Sequence, residues 1–356
     1  MESLPSSQAA AARRSLLRWY QRRSRALPWR TSKSPYTVWL SEVMLQQTQI
    51  ETVIPFYQRF IREFPTVEHL ARAPLERVLE LWSGLGYYRR ARNLHRAAQE
   101  LVEKHGGRFP SEMAAARMLP GVGDYTARAV LSIAYNQPFA VLDGNVARLM
   151  ARVLALRGSL PQPEFRRRVE EELDRLLSRR SPGNFNQAMM ELGQTICLPR
   201  APRCPFCPMQ HWCRGLNSGS PERFPDAKPR RKAEEWHMAV AVLHRNQRIM
   251  LVRGLDDRLL DDLWNFPSAL GKTGSQALEL LEGKLRRLLG AAPSLTGPLH
   301  ELRHNITYRT IHVSVYKGLL LGHDADNGSR WIQPQLVERA AVSQLTRKIA
   351  RRLIPH

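Results

Sequence analysis

The sequence predicts two domains of different class, an all-α domain followed by a smaller α+β domain. Apolar residues recur every three or four positions up to about residue 214, which is the helical repeat. Residues 214–233 lose that repeat and gain Gly, Ser, Pro and charge, which is typical of a linker. Beyond the linker, apolar and β-branched residues alternate or run together as in strands. We therefore predict domains over 1–213 and 234–356, joined by the linker 214–233.

Individual helices are predicted where the apolar repeat runs between Pro and Gly residues. In the first domain these segments are 37–50, 66–82, 88–104, 124–135, 145–156 and 164–178. In the second domain strands are predicted in "WHMAVAVLH", "RIMLVRG" and "RTIHVSVYKGLLL", and helices over 276–289 and 343–353. At 356 residues the chain is long enough for each domain to bury a core of its own.

The chain is strongly basic, with 54 Lys and Arg against 32 Asp and Glu and a formal net charge of +22. Because a basic surface attracts acidic polymers, nucleic acid is the expected partner. An arginine-rich genomic composition would give the same balance without such a partner. The sequence has no apolar run of 18 residues, so we expect no membrane-spanning segment. We expect the protein to be a monomer.

The first residues, "MESLPSSQAAAARRSLLRWYQRRSRALPW", lack the apolar centre of a secretory signal. They are poor in acids and rich in arginine, as organellar transit peptides are, but Leu16, Leu17, Trp19 and Tyr20 indicate the first helix of the fold. We therefore expect a reducing compartment, which is the cytoplasm and nucleoid of a bacterium or the nucleus or mitochondrion of a eukaryote.

Four cysteines fall within 17 residues, with six, two and five residues between Cys197, Cys204, Cys207 and Cys213. Four thiolates in so short a loop can hold a zinc ion or an iron-sulfur cluster. One CxxC pair with two wider arms favours the bulkier [4Fe-4S] cluster, while zinc stays the alternative. His211 is at most a minor alternative ligand. We expect the loop to hold its arginines, at 200, 203 and 214, toward phosphates rather than to transfer electrons.

A glycine hairpin, "LPGVG" at 119–123, is predicted between two helices, the second beginning near Asp124. Gly121 and Gly123 allow positive φ and close backbone approach, and the helix that follows offers unpaired N–H groups. The Walker-A pattern of a P-loop is not present. In a basic chain such a hairpin fits a sequence-independent grip on a DNA phosphate. An ordinary helix–helix turn is the alternative.

Two carboxylates are candidates for acid–base chemistry. Glu42 lies in "YTVWLSEVMLQQTQI", a helix of apolar and amide residues in which Gln46 and Gln49 are expected on the same face. Asp143 precedes the helix of "DGNVARLMARVL", where an N-cap is the plainer interpretation. The sequence has no HExxH motif and no recognisable Ser-His-Asp or Cys-His arrangement. An acid paired with a second carboxylate is the usual apparatus for breaking a glycosidic bond.

Several motifs in this order resemble the adenine DNA glycosylase (MutY) family of helix-hairpin-helix glycosylases. They cover nearly all of residues 16–214 and read "LPWR", "WLSEVMLQQTQIETV", "LWSGLGYYRRARNL", "LPGVGDYTARAV", "VLDGNVARL", "FNQAMMELGQTIC" and the four-cysteine loop. The resemblance implies a [4Fe-4S] cluster at the four cysteines. It also implies a monofunctional enzyme, because Tyr125 stands where endonuclease III-like relatives carry the lysine that forms a Schiff base.

The resemblance assigns roles to further residues. Glu42 matches the acid that protonates the departing adenine, and Asp143 matches the carboxylate that stabilises or traps the sugar cation. Tyr125 and Asn145 match residues that orient these carboxylates. Residues of the base pocket are matched by Arg25, Leu27, Trp29, Arg30, Leu45 and Gln187. The side chains inserted into the base stack are matched by Gln47 and Tyr87.

The second domain resembles the Nudix-like recognition domain of the same family through "LWNFPSAL" at 263–270. Residues 275–289 lack the Nudix hydrolase box, so we expect no Nudix hydrolysis. Many relatives place Phe-Ser-His in a hairpin that inspects 8-oxoguanine, whereas this chain has Ile306, Thr307 and Tyr308 there. Thr307 keeps a hydroxyl for contact with the opposite base.

The expected substrate is duplex DNA with adenine opposite 8-oxoguanine or guanine. Two alternatives are a bifunctional glycosylase-lyase and a non-catalytic iron-sulfur module that binds DNA.

Overall fold

The computed structural model describes residues 3–227, 232–253, 263–306, 308–320 and 328–353. It divides into two compact units. The helical unit comprises Met1–Arg72 and Asn93–Pro229, and the sheet unit comprises Ala73–Arg92 and Arg230–His356. The predicted domain boundaries remain a prediction; the two units differ from them in that residues 73–92 group with the C-terminal sheet.

The described helices of the helical unit are α1 (Ser6–Arg23), α2 (Pro35–Leu45), α3 (Ile50–Glu63), α4 (Val67–Arg72), α6 (Arg89–His105), α7 (Met113–Met118), α8 (Asp124–Ile133), α9 (Gly144–Leu154), α10 (Pro163–Leu176), α11 (Pro182–Thr195) and α12 (Arg214–Asn217). The first residues of α6 belong to the sheet unit. Short 3₁₀ turns lie at Pro28–Arg30, Cys204–Phe206, Gln210–Trp212 and Pro221–Arg223. Among the described residues, no helix is both long and apolar enough to cross a membrane.

The structure differs from the helical predictions in several places. The helix predicted over 37–50 ends at Leu45, because Gln46 leaves the helical conformation with ψ 113°. A separate helix, α3, follows; its buried Val53, Tyr57 and Phe60 keep a spacing of four and three that should have predicted it. The segment 66–82 divides at Pro74, which caps α5 (Leu75–Trp82). Helix α11 was not predicted from periodicity, because Gly, Asn and Gln dilute its apolar repeat.

The core of the helical unit forms around α9, which buries almost every residue from Val146 to Leu154 and packs against α10, α11 and α12. Helix α11 approaches α9 closely, since a Cβ at Gly193 would lie 2.8 Å from the Cβ of Asn145. Helix α2 packs against α8. Helix α8 also packs against α11. These pairings place Glu42 in α2, Tyr125 in α8 and Asp143 at the start of α9 on helices that belong to one packed group.

Six strands among the described residues form one mixed sheet: β1 (Glu234–Arg245), β2 (Arg248–Val252), β3 (Ser268–Gly271), β4 (Leu295–Ile306), β5 (Arg309–Leu319) and β6 (Ser329–Ile332). Their order is β4-β5-β1-β2-β6, with β3 pairing with β1. Strands β1 and β5 are parallel, and the other pairs are antiparallel. Helix α13 (Gly274–Leu289) packs on one face and α14 (Gln344–Leu353) on the other. The predicted α+β class is consistent with this arrangement, although β3, β4 and β6 were not predicted.

Helix α5 belongs to the sheet unit. Its Glu76 accepts hydrogen bonds from the Trp264 indole at 2.8 Å and from Arg330 at 3.0 Å. The Ser83 hydroxyl, just after the helix, donates to the carbonyl of Val342 at 2.8 Å. These contacts anchor the loop that carries Tyr87.

Candidate active site

One cavity of about 940 Å³ in the helical unit collects most of the predicted site residues. It is bounded by the Pro28–Arg30 turn, the end of α2, the start of α8, the start of α9 and one face of α11. The predicted residues that line it are Arg25, Leu27, Trp29, Arg30, Glu42, Leu45, Gln47, Gly121, Gly123, Tyr125, Asp143, Asn145 and Gln187.

Glu42 projects into this cavity from α2, a helix that Ser34 caps and that buries most of its residues. Only 6% of the residue is exposed. Burial raises the pKa of its carboxyl to about 7, because a desolvated carboxylate is disfavoured, and the nearby charge of Asp143 adds to the increase. A hydrogen bond from Tyr125 and the charge of Arg30 act in the opposite direction. A carboxyl with this pKa can give up or accept a proton near neutral pH.

Tyr125 lies in the first turn of α8, directly after the glycine hairpin. Its hydroxyl donates to Glu42 Oε2 at 2.9 Å and lies 3.5 Å from the sulfur of Met190. Burial first, and then the neighbouring carboxylates of Glu42 and Asp143, raise the pKa of this phenol well above its ordinary value. Tyr125 is therefore a permanent hydrogen-bond donor at neutral pH.

Asp143 is the N-cap of α9, so the plainer interpretation of this aspartate holds alongside its place in the cavity. Its Oδ1 accepts from the Val146 N–H at 2.7 Å, and its Oδ2 accepts from Asn145 Nδ2 at 2.9 Å. The extended segment that leads to it is held by Asn186, which accepts from the Val141 N–H at 3.1 Å. The N-terminus of α9 stabilises negative charge at this position.

Asn145 is itself held by Arg148, which the sequence analysis missed. Arg148 Nη2 donates to Asn145 Oδ1 at 3.1 Å and to the Gly193 carbonyl at 2.7 Å. Its Nε donates to the Cys197 carbonyl at 2.9 Å. The spacing of three residues from Asn145 to Arg148 on one helix was the available signal.

Arg25 and Arg30 share one buried partner, Glu191 in α11, which the sequence analysis also missed. Gln194 accepts a further hydrogen bond from Arg25 at 2.6 Å. The signal was present: Gln187, Glu191 and Gln194 follow at spacings of four and three, which places them on one face of α11.

The two glycines of the hairpin are both exposed, but they differ in conformation. Gly121 has φ +76°, and a Cβ there would lie 2.8 Å from the Cβ of Asn93. Gly123 has φ −86° and ψ 179°, so the expectation of positive φ is wrong for this residue. A Cβ at Gly123 would meet no described atom within 4 Å, and within the described part of the chain α8 has no side-chain cap. Gly123 thus leaves open space in front of the N–H groups of α8.

The segment between α2 and α3 also lines the cavity. Gln46 and Gln49 do not share a helical face with Glu42, because both lie outside helices as the C-cap of α2 and the N-cap of α3. Both nevertheless line the cavity, and Gln46 donates to Thr126 Oγ1 at 3.2 Å. Gln47 has φ +57°, an uncommon backbone conformation for a side-chain-bearing residue.

All four cysteines are free thiols that line a second cavity, together with Arg152. Arg152 Nη1 lies 3.3 Å from Cys197 Sγ and donates to the Leu198 carbonyl at 2.6 Å. Burial raises the pKa of the Cys207 thiol to about 12, so a metal that binds there must displace a proton. Within the described residues, no three His, Cys, Asp or Glu side chains form a group that could hold a single metal ion.

Two predicted residues lie elsewhere. Tyr87 belongs to the sheet unit, where it has φ +50°, is 46% exposed and carries the Arg90 guanidinium 5.2 Å from its ring centroid. Thr307 lies outside the described residues. Its neighbours are described: Ile306 ends β4, and Arg309 stacks 5.1 Å from the Tyr308 ring.

Residues 40–178 match the family model of the HhH-GPD superfamily of base excision DNA repair proteins. The chain is 36% identical to the adenine DNA glycosylase of Rattus norvegicus, over 96% of this chain and 77% of the rat protein. It is 35% identical to the adenine DNA glycosylase of Homo sapiens, over 97% of this chain and 74% of the human protein. The corresponding protein of Buchnera aphidicola is 32% identical over 82% of this chain.

Solved structures are similar over about three fifths of the chain. A thermostable thymine-DNA glycosylase superposes with a TM-score of 0.55 and 26% identity, covering 60% of this chain and 98% of that structure. A trapped endonuclease III–DNA covalent intermediate gives a TM-score of 0.51 at 24% identity over 61% of this chain, which is a similarity of fold.

Proposed function

The chain belongs to the adenine DNA glycosylase family, and on that premise we propose that it hydrolyses the N-glycosidic bond of adenine opposite 8-oxoguanine or guanine in duplex DNA. The observation that carries the proposal is the carboxyl pair of the 940 Å³ cavity. Glu42 has a pKa of about 7 and Asp143 is bound through both of its oxygens.

Glu42 is the proposed general acid. Neutral adenine is a poor leaving group, so a ring nitrogen must be protonated as the bond from the base to sugar C1′ breaks. The electron pair of that bond leaves with the base. A pKa of about 7 keeps a useful fraction of Glu42 protonated at neutral pH, and Tyr125 holds the carboxyl in place through its 2.9 Å hydrogen bond. Once deprotonated, Glu42 can accept the proton of the water that adds to C1′.

Asp143 is the proposed counter-charge to the sugar cation. Hydrogen bonds from the Val146 N–H and from Asn145 hold its carboxylate at the N-terminus of α9. The two carboxyls thus have opposite tasks, one protonated and one ionised, as glycosidic cleavage requires.

The absence of an amine at position 125 supports a monofunctional reaction. The phenol of Tyr125 cannot form a Schiff base with the sugar, so the proposed product is an abasic site in an unbroken strand.

The exposed hairpin is the proposed phosphate grip. Gly123 leaves space before the α8 N-terminus, whose first N–H groups have no side-chain cap, and the net charge of +22 favours a polyanion. Such contacts hold the duplex without reading its sequence, while Gln47 and Tyr87 are the proposed side chains that enter the base stack.

The four-cysteine cavity is the proposed site of a [4Fe-4S] cluster. Four soft sulfur donors around one cavity fit such a cluster, and the Arg152 guanidinium beside Cys197 fits the negative charge of bound thiolates. When bound, the cluster would cross-link the loop; the chemistry at the sugar rests on Glu42 and Asp143.

The sheet unit is the proposed Nudix-like recognition domain that examines the base opposite adenine. The mixed sheet with one helix on each face and the "LWNFPSAL" segment support this assignment. The proposed cellular location is that of the DNA, in the bacterial nucleoid or in the nucleus or mitochondrion.

The test is a single-turnover assay with duplexes that carry adenine opposite 8-oxoguanine, guanine or cytosine. Free adenine should appear first from the 8-oxoguanine and guanine duplexes, and the strand should break only after alkali. Absence of adenine release would refute the proposal. Strand breakage without alkali, with borohydride trapping, would indicate a glycosylase-lyase instead, and tight binding without any base release would indicate a non-catalytic module.

A further inference from the structure

The mechanism proposed above gives no role to Glu191, a buried charge beside the cavity. It lies in α11 with 1% of its side chain exposed and binds two arginines at once. Arg25 donates Nε to Oε1 at 2.7 Å and Nη2 to Oε2 at 3.0 Å, and Arg30 donates Nη2 to Oε2 at 2.8 Å. We infer that Glu191 is a positioning residue that fixes both guanidinium groups in the cavity wall and thereby the orientation of the base held there.

The hydrogen-bond geometry leaves little freedom to either arginine. The Arg25 fork is bound on two nitrogens, its backbone N–H also donates to Glu191 at 3.1 Å, and its Nη2 reaches Gln194. Arg30 donates its other terminal nitrogen to the Arg25 carbonyl at 3.1 Å. Charge-assisted bidentate contacts of this kind fix orientation as well as distance.

No other carboxylate can replace Glu191 without rearrangement. Within the described part of the chain, it is the only carboxylate that Arg25 or Arg30 contacts. Burial alone would raise the pKa of Glu191. The hydrogen bonds from Arg25 and the charge of Arg30 nevertheless hold that pKa below its ordinary value. It therefore remains ionised at the pH at which a base excision enzyme works.

The same carboxylate is linked to Glu42 through Arg30, which binds Glu191 and whose charge acts on Glu42. Two arginines with one anion leave a single net positive charge in this wall, and Arg30 already lowers the pKa of Glu42. The other groups that act on Glu42 are Tyr125 and Asp143, which Glu191 does not contact through any described bond. Removing the anion would add positive potential at Glu42 and lower its pKa, so the acid would lose its proton at a lower pH.

A purely structural role is the competing explanation, because an ion pair also joins α11 to the segment 25–30. Glu172 offers a matched control. It is also buried, lies in α10, and pairs with Arg175 at 3.5 Å and Arg168 at 4.0 Å, while its oxygen accepts from Ser3. It does not line the 940 Å³ cavity.

The experiment compares Glu191→Gln, Glu191→Asp and Glu172→Gln in the full-length protein. Three quantities are measured: the single-turnover rate of adenine release against pH, the Kd for a duplex with an abasic-site product, and thermal unfolding. The glutamine variant should be roughly ten- to a hundredfold slower, as expected for misplaced contacts, with Kd changed less than about threefold. The fall in its rate at high pH, the alkaline limb of the pH profile, should move to lower pH by on the order of half a unit.

The aspartate variant separates charge from reach. It keeps the negative charge, so its alkaline limb should return to the wild-type position. Its shorter side chain cannot bind both guanidinium groups, so the rate should stay reduced. Glu172→Gln should lower thermal stability and leave both the rate and the pH profile unchanged. An unchanged rate and limb in Glu191→Gln, or equal changes in Glu172→Gln, would overturn the inference.

The inference rests on the proposed function only for its rate measurement. The pKa of Glu42 can also be followed by ¹³C NMR of glutamate-labelled protein without substrate. If the wild-type protein released no adenine, the proposed function would fail, while a lowered Glu42 pKa in Glu191→Gln and an unchanged one in Glu172→Gln would still support the positioning role. Equal Glu42 pKa values in the wild type and Glu191→Gln would refute it.

Discussion

Removal of the Tyr125 hydroxyl separates two effects that this residue has on Glu42. Its hydrogen bond orients the carboxyl and, because it is made to the charged form, lowers the pKa. In Tyr125→Phe the first effect should reduce the maximal rate, and the second should let Glu42 keep its proton to higher pH. The two changes therefore have opposite consequences for activity on the alkaline side.

The size of the pH shift follows from the strength of the bond. A hydrogen bond to a charged group contributes about 1.5–3 kcal/mol, and one pKa unit corresponds to about 1.4 kcal/mol. Only part of this acts differentially, because the phenol also contacts the neutral carboxyl, so we expect a shift of about one unit upward from the pKa of about 7. Since the acid must be protonated, the rate falls tenfold per pH unit above that pKa.

The assay is single-turnover adenine release between pH 5 and 10, with enzyme in excess. At the acid plateau the variant should be about tenfold slower, as is typical for the loss of one orienting contact. Above pH 8 the difference should shrink, because the wild-type acid is already mostly ionised while the variant acid is not. Tyr36→Phe is the control: its buried hydroxyl donates to the Phe64 carbonyl at 2.8 Å and does not line the cavity.

The reasoning would be refuted by an alkaline limb that stays in place or moves to lower pH in Tyr125→Phe. An equal shift in Tyr36→Phe would also refute it, since the effect would then be a general consequence of losing a buried hydroxyl. Circular dichroism should show the same helical content in all three proteins.

Three further outcomes are expected. Asp143→Asn should reduce the single-turnover rate by at least a hundredfold, while filter binding of a mismatched duplex changes little. The amide oxygen keeps the helix cap, but the negative charge is lost. A rate within tenfold of the wild type would contradict the proposed role of Asp143 as counter-charge to the sugar cation. Gly121→Ala should weaken duplex binding, because φ is +76° and the added Cβ would meet Asn93. The control Gly106→Ala, with φ +56° and no described atom within 4 Å of the added Cβ, should affect binding little. Equal losses of binding would argue against the phosphate grip. Cys207→Ser should lower iron and sulfide content and the brown visible absorbance, and full retention of iron would exclude this ligand.

The sequence predicted well what depends on local pattern. The long strands β1 and β5 have a continuous β-branched or alternating pattern, and α8 and α9 begin where Asp124 and Asp143 indicate a helix start. Short strands such as β3 and β6 have four residues each and carry no periodic signal of their own; they exist because β1 and β2 offer edges to pair with. Such pairings are tertiary and cannot be read from a window of sequence.

The residues of the candidate site likewise divide into those that a motif identifies and those that only tertiary packing identifies. The resemblance to a known family indicated which side chains would meet, and the cavity brings together those of the helical unit. Glu191 and Arg148 were missed although their spacing on a helix was a local signal, because most of their partners are distant in sequence: Glu191 is 166 positions from Arg25, and Arg148 is 49 from Cys197. A helical glutamate is ordinarily solvated, and only the packing of α11 behind the segment 25–30 makes this one a buried anion.

The pKa of Glu42 is set by neighbours that act in opposite directions. Glu42 is made a weak acid by burial and by the charge of Asp143, and it is kept from becoming weaker still by Tyr125 and Arg30. Arg30 acts on Glu42 through its charge, while its guanidinium is bound to Glu191 at 2.8 Å. Tyr125→Phe and Glu191→Gln should move the alkaline limb in opposite directions, so the limb of the double variant should lie between those of the two single variants, about half a unit above the wild type. A double variant whose limb coincides with that of either single variant would show that the two neighbours do not act independently on the same carboxyl.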